Sequence, residues 1–542
     1  MSLFEKILAA RGLSGEKAAA FLSPDYDKKH DPFLLPDMEK AVARLVTAHE
    51  KQEHIMIYGD YDIDGLTATT VLLDAFGSFG FEYVEAFIPN RFVEGYGLTI
   101  DAVETIAKNG AQLIVTVDCG SLSHKEIVRA NELGVDVIVT DHHNVSEVQP
   151  PAVAVVNPKR SDHQYPFIDL AGVGVAFKLV QALQTRLPGL PEGNEKWLLD
   201  LVALGTVCDV VSLVDENRVN VYWGLKVLAK TRRPGLRALM AVARIEPESL
   251  NARSLGFGLG PRMNAAGRLE TARHSLDMLL ADQKELAFEK AEQLDALNVA
   301  RRSDQDTIFK EAVVQAELYK NDPVLVLSGA DWNHGIVGIV AAKILEKYKK
   351  PTYVLQEMDD HAKGSARSYG GFSAVAAIRA SDDIITKGGG HTLAAGVTLP
   401  TENIAAFRIR VNEFYKSLKL ENQEALLIPK PDVVIDDLTE VTEELIDQLA
   451  RLEPFGSGNP EPILRLEDVI VTDQRRMGAD NQHVKLEIKD KTGKRMQVLA
   501  FSAPAHYFAE PGETVSILFQ PGLNEWQGRR SVEGRLLHLE VE

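Results

Sequence analysis

Cysteine is nearly absent from this chain, which carries only Cys119 and Cys208 among its 542 residues. Two cysteines cannot build a disulfide framework, and no CxxC pair is present. We expect no secretory segment either, because Glu5 and Lys6 interrupt the opening apolar residues. No apolar run approaches the roughly 18 residues that a membrane span needs. We therefore expect a cytoplasmic protein in a reducing environment, with no membrane partner.

Positive charge is scarce as well: 59 Lys and Arg stand against 78 Asp and Glu, for a formal net charge of −19. Such a surface is not expected to coat nucleic acid or acidic membrane non-specifically. It still allows a nucleic-acid enzyme with a local basic groove, because metal-ligating aspartates count as negative in this sum. The chain has no P-loop, HExxH or GxSxG motif. Residues 172–177 begin like a dinucleotide-binding loop but lack its third glycine.

Three aspartates, Asp60, Asp62 and Asp64, crowd one short segment after the apolar residues 55–58. A helix-like run over 66–76 follows, so the carboxylates stand at the carboxyl end of a predicted buried strand. Like charges this close repel each other unless a cation lies among them. The alternative is a solvated turn that happens to be rich in aspartate.

The same arrangement recurs after three further apolar segments, at 113–117, 135–140 and 198–207. Strands that alternate with helices predict a parallel sheet, whose ligands bind beyond the carboxyl ends of the strands. Carboxylates with imidazole suit Mn²⁺ or Mg²⁺ better than a structural zinc, and two adjacent ions would hold a phosphoryl group. The polar residues that follow these segments are Asp118, Asp141, His142, His143 and Asp209.

The chain is too long for a single core, so several domains are expected. In the first α/β part the strand-like segments are 55–58, 84–88, 113–117, 135–140 and 153–156. The tail has strand-like segments at 484–488, 498–501 and 515–519, a pattern typical of a small β-barrel. We predict a helical segment at 1–50, an α/β domain at 51–215, a helical connector at 216–318, a smaller α/β domain at 319–425 and a β-barrel domain at 430–542.

Four motifs resemble those of the DHH phosphoesterases in order and spacing. They are the segment with Asp60, Asp62 and Asp64, then Asp118-Cys119-Gly120, Asp141-His142-His143 and Asp209. Residues 89–98, 170–176, 203–209 and 260–269 resemble the RecJ branch of that family, and 388–396 resembles its DHHA1-type second lobe. The resemblance covers essentially the whole chain. It implies a parallel-sheet DHH domain, a DHHA1-type domain and an OB-like C-terminal domain.

The resemblance also implies an activity: metal-dependent, single-strand-specific hydrolysis of DNA from the 5′ end, in DNA repair and recombination. It further implies a single-strand-binding protein and a helicase as partners, and we expect a monomer. Another DHH hydrolase, acting on short oligonucleotides or cyclic dinucleotides or as a pyrophosphatase, is the alternative enzyme. An inactivated relative that serves as a scaffold is the alternative outside enzymes.

Six metal ligands follow from the matching positions: Asp60, Asp62, Asp64, Asp118, His142 and Asp209. Asp118 is the best candidate to bridge two ions, since a lone aspartate at the end of a central strand can reach both. Asp141 is expected to orient a histidine rather than to bind metal. His143 is expected to contact the scissile phosphate and stabilise its developing charge; a capped structural turn is the alternative for the two histidines.

The resemblance places further DNA contacts in and before the second lobe. Ser365 and Arg367 match a phosphate-contacting Ser-x-Arg, with an ordinary loop as the alternative. Gly389 would let backbone N–H groups approach a ligand beside His391, although three glycines in a turn need no function. Arg262 and Arg268 would line the path of the strand, or else make capping and salt-bridge contacts. The tail offers weaker basic and aromatic candidates: Arg475, Arg476, Lys485, Lys489, Trp526, Arg529 and Arg530.

Overall fold

Residues 1–526 and 528–541 are described by a computed structural model of the chain, in which the side chains of Ala505 and Trp526 lie outside the described part. The predicted role of Trp526 therefore falls outside the description. The chain divides into two units. The first contains Met1–Gly260, Met278–Ala287 and Pro429–Glu542, and the second contains Pro261–Asp277 and Phe288–Ile428.

Five strands form a sheet in the first unit, in the order β2-β1-β3-β4-β5, and every pair is parallel. The strands are β1 (Ile55–Gly59), β2 (Val84–Phe87), β3 (Leu113–Val117), β4 (Asp136–Thr140) and β5 (Ala154–Val156). Strands β1 and β3 are buried along their whole length, as expected where helices cover both faces of a parallel sheet. The predicted α/β class and all five predicted strands are confirmed. Because β1, β3 and β4 are neighbours, the residues that follow them emerge side by side.

Helices surround this sheet and continue beyond it. They are α1 (Leu3–Ala10), α2 (Gly15–Leu22), α3 (Met38–Lys51), α4 (Ile63–Phe79), α5 (Ile100–Lys108), α6 (His124–Glu132), α7 (Gly172–Gln184), α8 (Leu199–Cys208), α9 (Asp215–Leu228), α10 (Pro234–Ala243) and a π-helix at Ser254–Leu259. Single 3₁₀ turns lie between them, at Tyr26–Lys28, Pro32–Leu34, Asn194–Leu198 and Pro247–Ser249. Among the helices of the described residues, none is long and apolar enough to cross a membrane.

The second unit has a mixed sheet in the order β6-β7-β8-β10-β9. Its strands are β6 (Leu325–Gly329), β7 (Thr352–Glu357), β8 (His361–Arg367), β9 (Lys387–Gly390) and β10 (Ala394–Pro400). Helices α11 (Gly260–Leu269), α12 (Arg273–Leu280), α13 (Lys284–Leu318), α14 (Val337–Tyr348), α15 (Ala374–Arg379) and α16 (Ile404–Ser417) complete the element order of this region. The loop considered for 363–368 and the turn considered for 388–390 are wrong, since both segments are strands.

A closed barrel of five strands forms the C-terminal region, because β12 pairs with both β13 and β15. Its strands are β12 (Leu464–Met477), β13 (His483–Lys489), β14 (Arg495–Ala500), β15 (Thr514–Trp526) and β16 (Arg529–Val541). The short strand β11 (Val433–Ile435) lies parallel to β12, and helix α17 (Glu443–Leu449) follows it. The predicted barrel is confirmed, although β11, β12 and β16 were not foreseen.

The barrel shares its hydrophobic core with the first helix of the chain. Leu3, Phe4, Ile7 and Leu8 of α1 belong to the same cluster of buried residues as the inward side chains of the barrel strands. A salt bridge of 2.7 Å from Arg11 Nε to Asp432 Oδ1 strengthens this contact. The N-terminal helix is therefore part of the C-terminal core.

Candidate metal centre and DNA-binding residues

The triple-aspartate segment turns from strand β1 into helix α4. Asp62 is the N-cap of α4, where its side chain accepts a hydrogen bond of 3.1 Å from the Gly65 N–H. A Cβ at Gly65 would lie only 2.6 Å from the backbone nitrogen of Asp60, so this tight turn requires glycine. Asp60 and Asp64 are buried as a result, with 4% and 1% exposure.

Helix α7 holds the third of these aspartates in place. The N–H groups of Gly172 and Val173, in the first turn of α7, donate to the two carboxylate oxygens of Asp64 at 2.6 and 2.8 Å. Such N–H groups have no partner within the helix and favour a negative charge. A Cβ at Gly172 would lie 2.7 Å from Asp118 Oδ1. The incomplete dinucleotide-binding motif thus serves to seat two carboxylates.

Asp118 follows the end of β3 with a backbone φ of 61°, in the left-handed region. This conformation is uncommon for a residue other than glycine and is found at functional positions. It places Asp118 Oδ1 3.1 Å from His142 Nε2 and 3.7 Å from His143 Nδ1. Asp118 is almost fully buried, with 1% exposure.

His142 gathers carboxylates from three different segments around one ring nitrogen. Its Nε2 lies 3.1 Å from Asp118 Oδ1, 3.5 Å from Asp209 Oδ2 and 3.8 Å from Asp64 Oδ2. Burial, and then the charge of His143, lowers the pKa of His142 to about 3. The imidazole is therefore neutral at pH 7 and has a lone pair available for a metal ion.

Asp141 makes a different set of contacts, all of them hydrogen bonds. It accepts from the backbone N–H groups of His142 and His143 and from Ser121, and its Oδ1 lies 2.9 Å from His143 Nδ1. Burial alone would raise the pKa of Asp141, but the hydrogen bond and charge of His143 outweigh it and lower that pKa. The same partnership raises the pKa of His143 against the effect of burial. Asp141 thus orients His143 and favours its charged form.

Three groups of side chains have ligating atoms within 4.8 Å of one another. The first is Asp60, Asp62 and Asp118; the second is Asp64, His142 and Asp209; the third is Asp118, His142 and His143. Asp118 and His142 each belong to two of these groups. Among the described residues, Asp141 belongs to none of them, which agrees with its place in the hydrogen-bond network.

Buried ligand atoms without partners indicate that this cluster fits divalent cations. Four such atoms have no hydrogen-bond partner among the described residues: Asp60 Oδ1, Asp118 Oδ1, His142 Nε2 and Asp209 Oδ2. A buried polar atom left unpaired costs about 1–3 kcal/mol, and more when it is charged. A hard cation with oxygen and imidazole ligands would satisfy all four.

The pKa values of the carboxylates give the same picture. Burial, followed by the charge of Asp62, raises the pKa of Asp64 to about 7. Burial, followed by the charges of Asp64 and Asp62, raises the pKa of Asp209 to about 9. Burial also raises the pKa of Asp60 and of Asp118, and neighbouring carboxylates add to both shifts. Without a cation, the cluster holds protons that metal binding would release.

Three residues of the site were missed in the sequence. Arg91 lies with its guanidinium 4.4 Å from the centre of the Tyr61 ring, and its Nε is buried without a hydrogen-bond partner in the described residues. The Tyr96 hydroxyl is 3.1 Å from His143 Nδ1, and Asn157 Nδ2 donates to the His143 carbonyl at 2.9 Å. Arg91 and Tyr96 belong to a segment that resembles the family. Asn157 follows the end of β5, so its position resembles that of Asp118.

In the second unit, the sheet brings together most of the predicted DNA-binding residues. Ser365 and Arg367 are two residues apart on β8 and so point to the same face. Gly396 of β10 pairs with Ser365 on one side and with Gly389 on the other, which aligns the three across the sheet. His391 follows β9 and is exposed. These residues share one end of the sheet.

The two arginines of α11 have structural partners. Arg262 Nε donates to Asp295 Oδ1 at 2.8 Å, and Arg268 Nη1 donates to the Gly335 carbonyl at 3.0 Å. Both contacts are of the salt-bridge and capping kind that was the alternative to DNA binding. They lie within the second unit and restrain α11.

Comparison with known proteins places this architecture in a family. The "DHH family, N-terminal domain" model matches residues 54–206, the "DHHA1 domain" model matches 321–417, and the "RecJ OB domain" model matches 432–538. The three matches follow the order of the first sheet, the second sheet and the barrel. The chain is also 38% identical to the single-stranded-DNA-specific exonuclease RecJ of Bacillus subtilis, over 97% of this chain and 66% of that protein.

Two further comparisons cover more of the related protein. The single-stranded-DNA-specific exonuclease RecJ of Haemophilus influenzae is 34% identical, over 98% of this chain and 95% of the relative. The crystal structure of RecJ with Mn²⁺ from Thermus thermophilus superposes with a TM-score of 0.81 at 30% identity, over 99% of this chain and 77% of the other. A structure of that protein with Mg²⁺ gives a TM-score of 0.75.

Proposed function

Since this chain belongs to the RecJ family, whose relatives named above are single-stranded-DNA-specific exonucleases, we propose that it hydrolyses phosphodiester bonds from one end of single-stranded DNA. The reaction depends on Mn²⁺ or Mg²⁺, the ions that accompany the related structures. The observation that carries this proposal is the buried cluster of carboxylates and imidazoles with four unpartnered ligand atoms. Such a cluster is costly without cations and suited to phosphoryl chemistry with them.

The proposed ligands fall into two sets, and Asp118 of the first set lies close to the second. Asp60, Asp62 and Asp118 would hold one ion, while Asp64, His142 and Asp209 would hold the other. Asp118 Oδ1 lies 3.1 Å from His142 Nε2, so the aspartate is within reach of both sets. Bound divalent ions supply Lewis acidity and activate water for attack on phosphorus.

His143 and Arg91 supply positive charge to the phosphate. Asp141 and Tyr96 both approach the Nδ1 side of the His143 ring, which orients the ring and leaves Nε2 as the donor to a scissile phosphate oxygen. Arg91 has a buried Nε without a partner among the described residues, and its charge offsets part of the rise in the pKa of Asp60 that burial causes. A guanidinium in that position suits a second phosphate of the same strand.

The second sheet and the barrel bind the strand outside the cleavage site. Ser365, Arg367, Gly389 and His391 contact one phosphate, and Arg262 and Arg268 contribute positive charge from the first and last turns of α11. The barrel holds the strand through its basic face, as OB folds do. We assign metal binding, cleavage and strand binding to domains with the following bounds: 1–50, 51–215, 216–318, 319–425 and 430–542.

The finer assignments rest on the family resemblance. They are 5′-to-3′ polarity, a role in DNA repair and recombination, a cytoplasmic location, a monomeric state, and partnership with a single-strand-binding protein and a helicase. The −19 net charge agrees with partners that recognise a local surface rather than the whole protein.

Digestion of single strands labelled at the 5′ or the 3′ end tests this proposal with Mg²⁺, Mn²⁺ or a chelator present. We expect early release of the 5′ label as a mononucleotide, slow shortening seen from the 3′ label, and no digestion with the chelator. Metal-independent digestion would contradict the role of the acidic cluster. Early release of the 3′ label would show that digestion runs from the 3′ end, opposite to the proposed polarity.

A length series separates this function from that of a short-oligonucleotide phosphodiesterase. Oligonucleotides of 2, 4, 8, 16 and 32 nucleotides would be digested under the same conditions. The barrel adds contacts only to longer strands, so kcat/KM is expected to rise with length. A preference for the dinucleotide would favour the alternative enzyme.

A further inference from the structure

An exposed phenylalanine lies on the π-helix that follows α10. Phe257 is 80% exposed and belongs to Ser254–Leu259, the only π-helix among the described residues. Short π-helical turns are rare and are frequent at functional sites. A single exposed apolar side chain is ordinary, so the surroundings of Phe257 matter more than its exposure.

Both ends of this π-helix touch residues next to the proposed metal ligands. Cys208 Sγ lies 3.8 Å from the carbonyl oxygen of Leu255 and immediately precedes Asp209. At the other end, a Cβ at Gly260 would lie 2.7 Å from Cys208 Sγ and 3.4 Å from Ile63 Cδ1, inside the triple-aspartate segment. The π-helix therefore packs directly against the segments that form the metal centre.

A second exposed apolar side chain stands beside the same centre. Val210 directly follows Asp209, is 70% exposed and has a backbone φ of 63°. A β-branched residue in the left-handed region is strained, and such strain persists where the surrounding structure imposes it. A Cβ at Gly256 would lie 3.7 Å from Val207 Cγ1, so the π-helix packs on the last turn of α8. Two exposed apolar side chains thus belong to segments that form the centre or pack against it.

A cation accompanies the aromatic ring. The guanidinium of Arg253 lies 5.7 Å from the centre of the Phe257 ring, and the Arg253 side chain is exposed. Along a single strand, an unpaired base and a phosphate occur in every nucleotide. An exposed ring next to an exposed guanidinium matches that alternation, since rings stack on bases and arginines bind phosphates.

We propose that Phe257 stacks on one base of the DNA strand next to the bond that is cut, with Arg253 on the phosphate of the same nucleotide. Phe257 is then a positioning residue that uses base stacking to hold the scissile phosphate at the metal centre. The inference rests on the proposed function, because it takes single-stranded DNA as the substrate.

Binding without cleavage tests the stacking directly. Twelve-nucleotide single strands would carry 2-aminopurine at one position each, with Ca²⁺ in place of Mg²⁺ or Mn²⁺, and stacking would be read as quenching of its fluorescence. The wild-type chain is expected to quench one position most strongly. Phe257→Ala should lose that quenching and bind roughly 5- to 150-fold more weakly, the range measured for loss of one base–aromatic stack. Phe257→Trp should keep both the quenching and the affinity of the wild type.

The matched control is Leu133→Ala. Leu133 is 38% exposed and follows α6, which runs from the carboxyl end of β3 to the amino end of β4, so it lies at the edge of the sheet opposite to Asp118. The Leu133→Ala variant should bind the single strand with the affinity and quenching of the wild type. An abasic nucleotide at the quenched position should remove the difference between wild type and Phe257→Ala. The inference would be overturned if wild type and Phe257→Ala bound the normal strand with equal affinity and equal quenching. It would also be overturned if Phe257→Ala bound the abasic strand more weakly than wild type by the same factor as the normal strand.

Cleavage by the wild type tests the proposed function separately. Absence of DNA hydrolysis with Mn²⁺ would contradict the nuclease, while the position-specific quenching would still show whether Phe257 meets a base. The two failures therefore have different signatures.

Discussion

Asp62 and His143 play separable parts in the proposed chemistry. Asp62 belongs to a group of three carboxylates, and His143 is held by Asp141 and Tyr96. For Asp62→Ala we expect loss of DNA hydrolysis together with weaker Mn²⁺ binding by calorimetry. The lost N-cap should lower the free energy of unfolding by only about 1 kcal/mol. Asp101→Ala, an exposed acidic residue in the first turn of α5, is the control that should change neither.

His143→Ala should behave differently from Asp62→Ala. Loss of a donor to the scissile phosphate is expected to lower kcat by about 10²- to 10³-fold. Mn²⁺ affinity should stay within about threefold of wild type if His143 acts on the substrate, because a liganding imidazole would contribute far more. A parallel loss of Mn²⁺ affinity would instead make His143 a ligand together with Asp118 and His142, the third group of the cluster.

Lys29 makes the stability of the chain depend on pH. Its Nζ lies 3.4 Å from the centre of the Tyr26 ring and has no hydrogen-bond partner among the described residues. Burial, and then the charge of Lys178, lowers its pKa from 10.5 to about 7. The unfolded chain therefore binds more protons than the folded chain between about pH 7 and 10.5, and stability rises with pH across that range.

The variant Lys29→Met removes this titration. We expect a higher melting temperature at pH 7 and a smaller rise in melting temperature from pH 7 to pH 9, both measured by calorimetry. The exposed Lys17→Met on α2 is the matched control and should keep the wild-type dependence. An unchanged difference between the two pH values in Lys29→Met would show that another group titrates.

Helix α7 is the element on which the metal centre depends most. Gly172 donates its N–H to Asp64, and a Cβ there would press on Asp118. Gly172→Ala should therefore weaken Mn²⁺ binding by about 10- to 100-fold, as loss of a supporting contact does in metal sites. Gly77→Ala on α4 has open space around its Cβ and should instead stabilise the protein by about 0.5–1 kcal/mol. Titration calorimetry and urea unfolding of both variants compare the two effects.

The strands of the first sheet could be predicted from the sequence because each is short, apolar and followed by polar residues. The position of Asp118 could be inferred on the same basis, since a parallel sheet gathers the ends of its strands. The contact between Asp64 and α7 could not, because 108 residues separate Asp64 from Gly172 and nothing local marks the pair. The strands around Gly389 were missed because glycine disfavours strands unless its neighbours supply the pairing.

The barrel also shows why some strands cannot be predicted from the alternation of apolar and polar residues. Strands β13 and β14 alternate clearly, while β12 is interrupted by Asp468, which has a left-handed backbone and lies at a change of register with β15. Such a bulge breaks the period of two on which strand prediction relies. The site residues Arg91 and Tyr96 were missed for a related reason, since they lie outside regular elements.

Arg475 and Arg476 are two of the barrel residues proposed to hold DNA. Of the candidates in the tail, Lys485 pairs with Glu533 and Arg530 pairs with Asp447, whereas Arg475 and Arg476 are exposed and have no salt bridge among the described residues. The Arg476 guanidinium also lies 4.6 Å from the centre of the Phe508 ring. Arg529 is exposed as well, so these two arginines supply part of the tail's available positive charge.

Replacing both of these arginines by glutamine should weaken binding to long single strands and lower its dependence on salt. The slope of log K against log [salt] should fall by about 0.7 for each lost phosphate contact. Fluorescence anisotropy between 50 and 300 mM salt measures this. Arg129→Gln, whose side chain pairs with Glu104 and Glu132 on the first sheet's surface, is the control. An unchanged slope would place the DNA elsewhere.

The shared core of α1 and the barrel has a consequence for how the chain folds during synthesis. Most of the buried residues that share a cluster with Phe4 and Ile7 lie at Ile435 or beyond, more than 420 residues later. At about 5–20 residues per second, a ribosome needs roughly 20 to 90 seconds to make that stretch. Until then much of the apolar face of α1 stays uncovered, which makes this helix a natural target for chaperones.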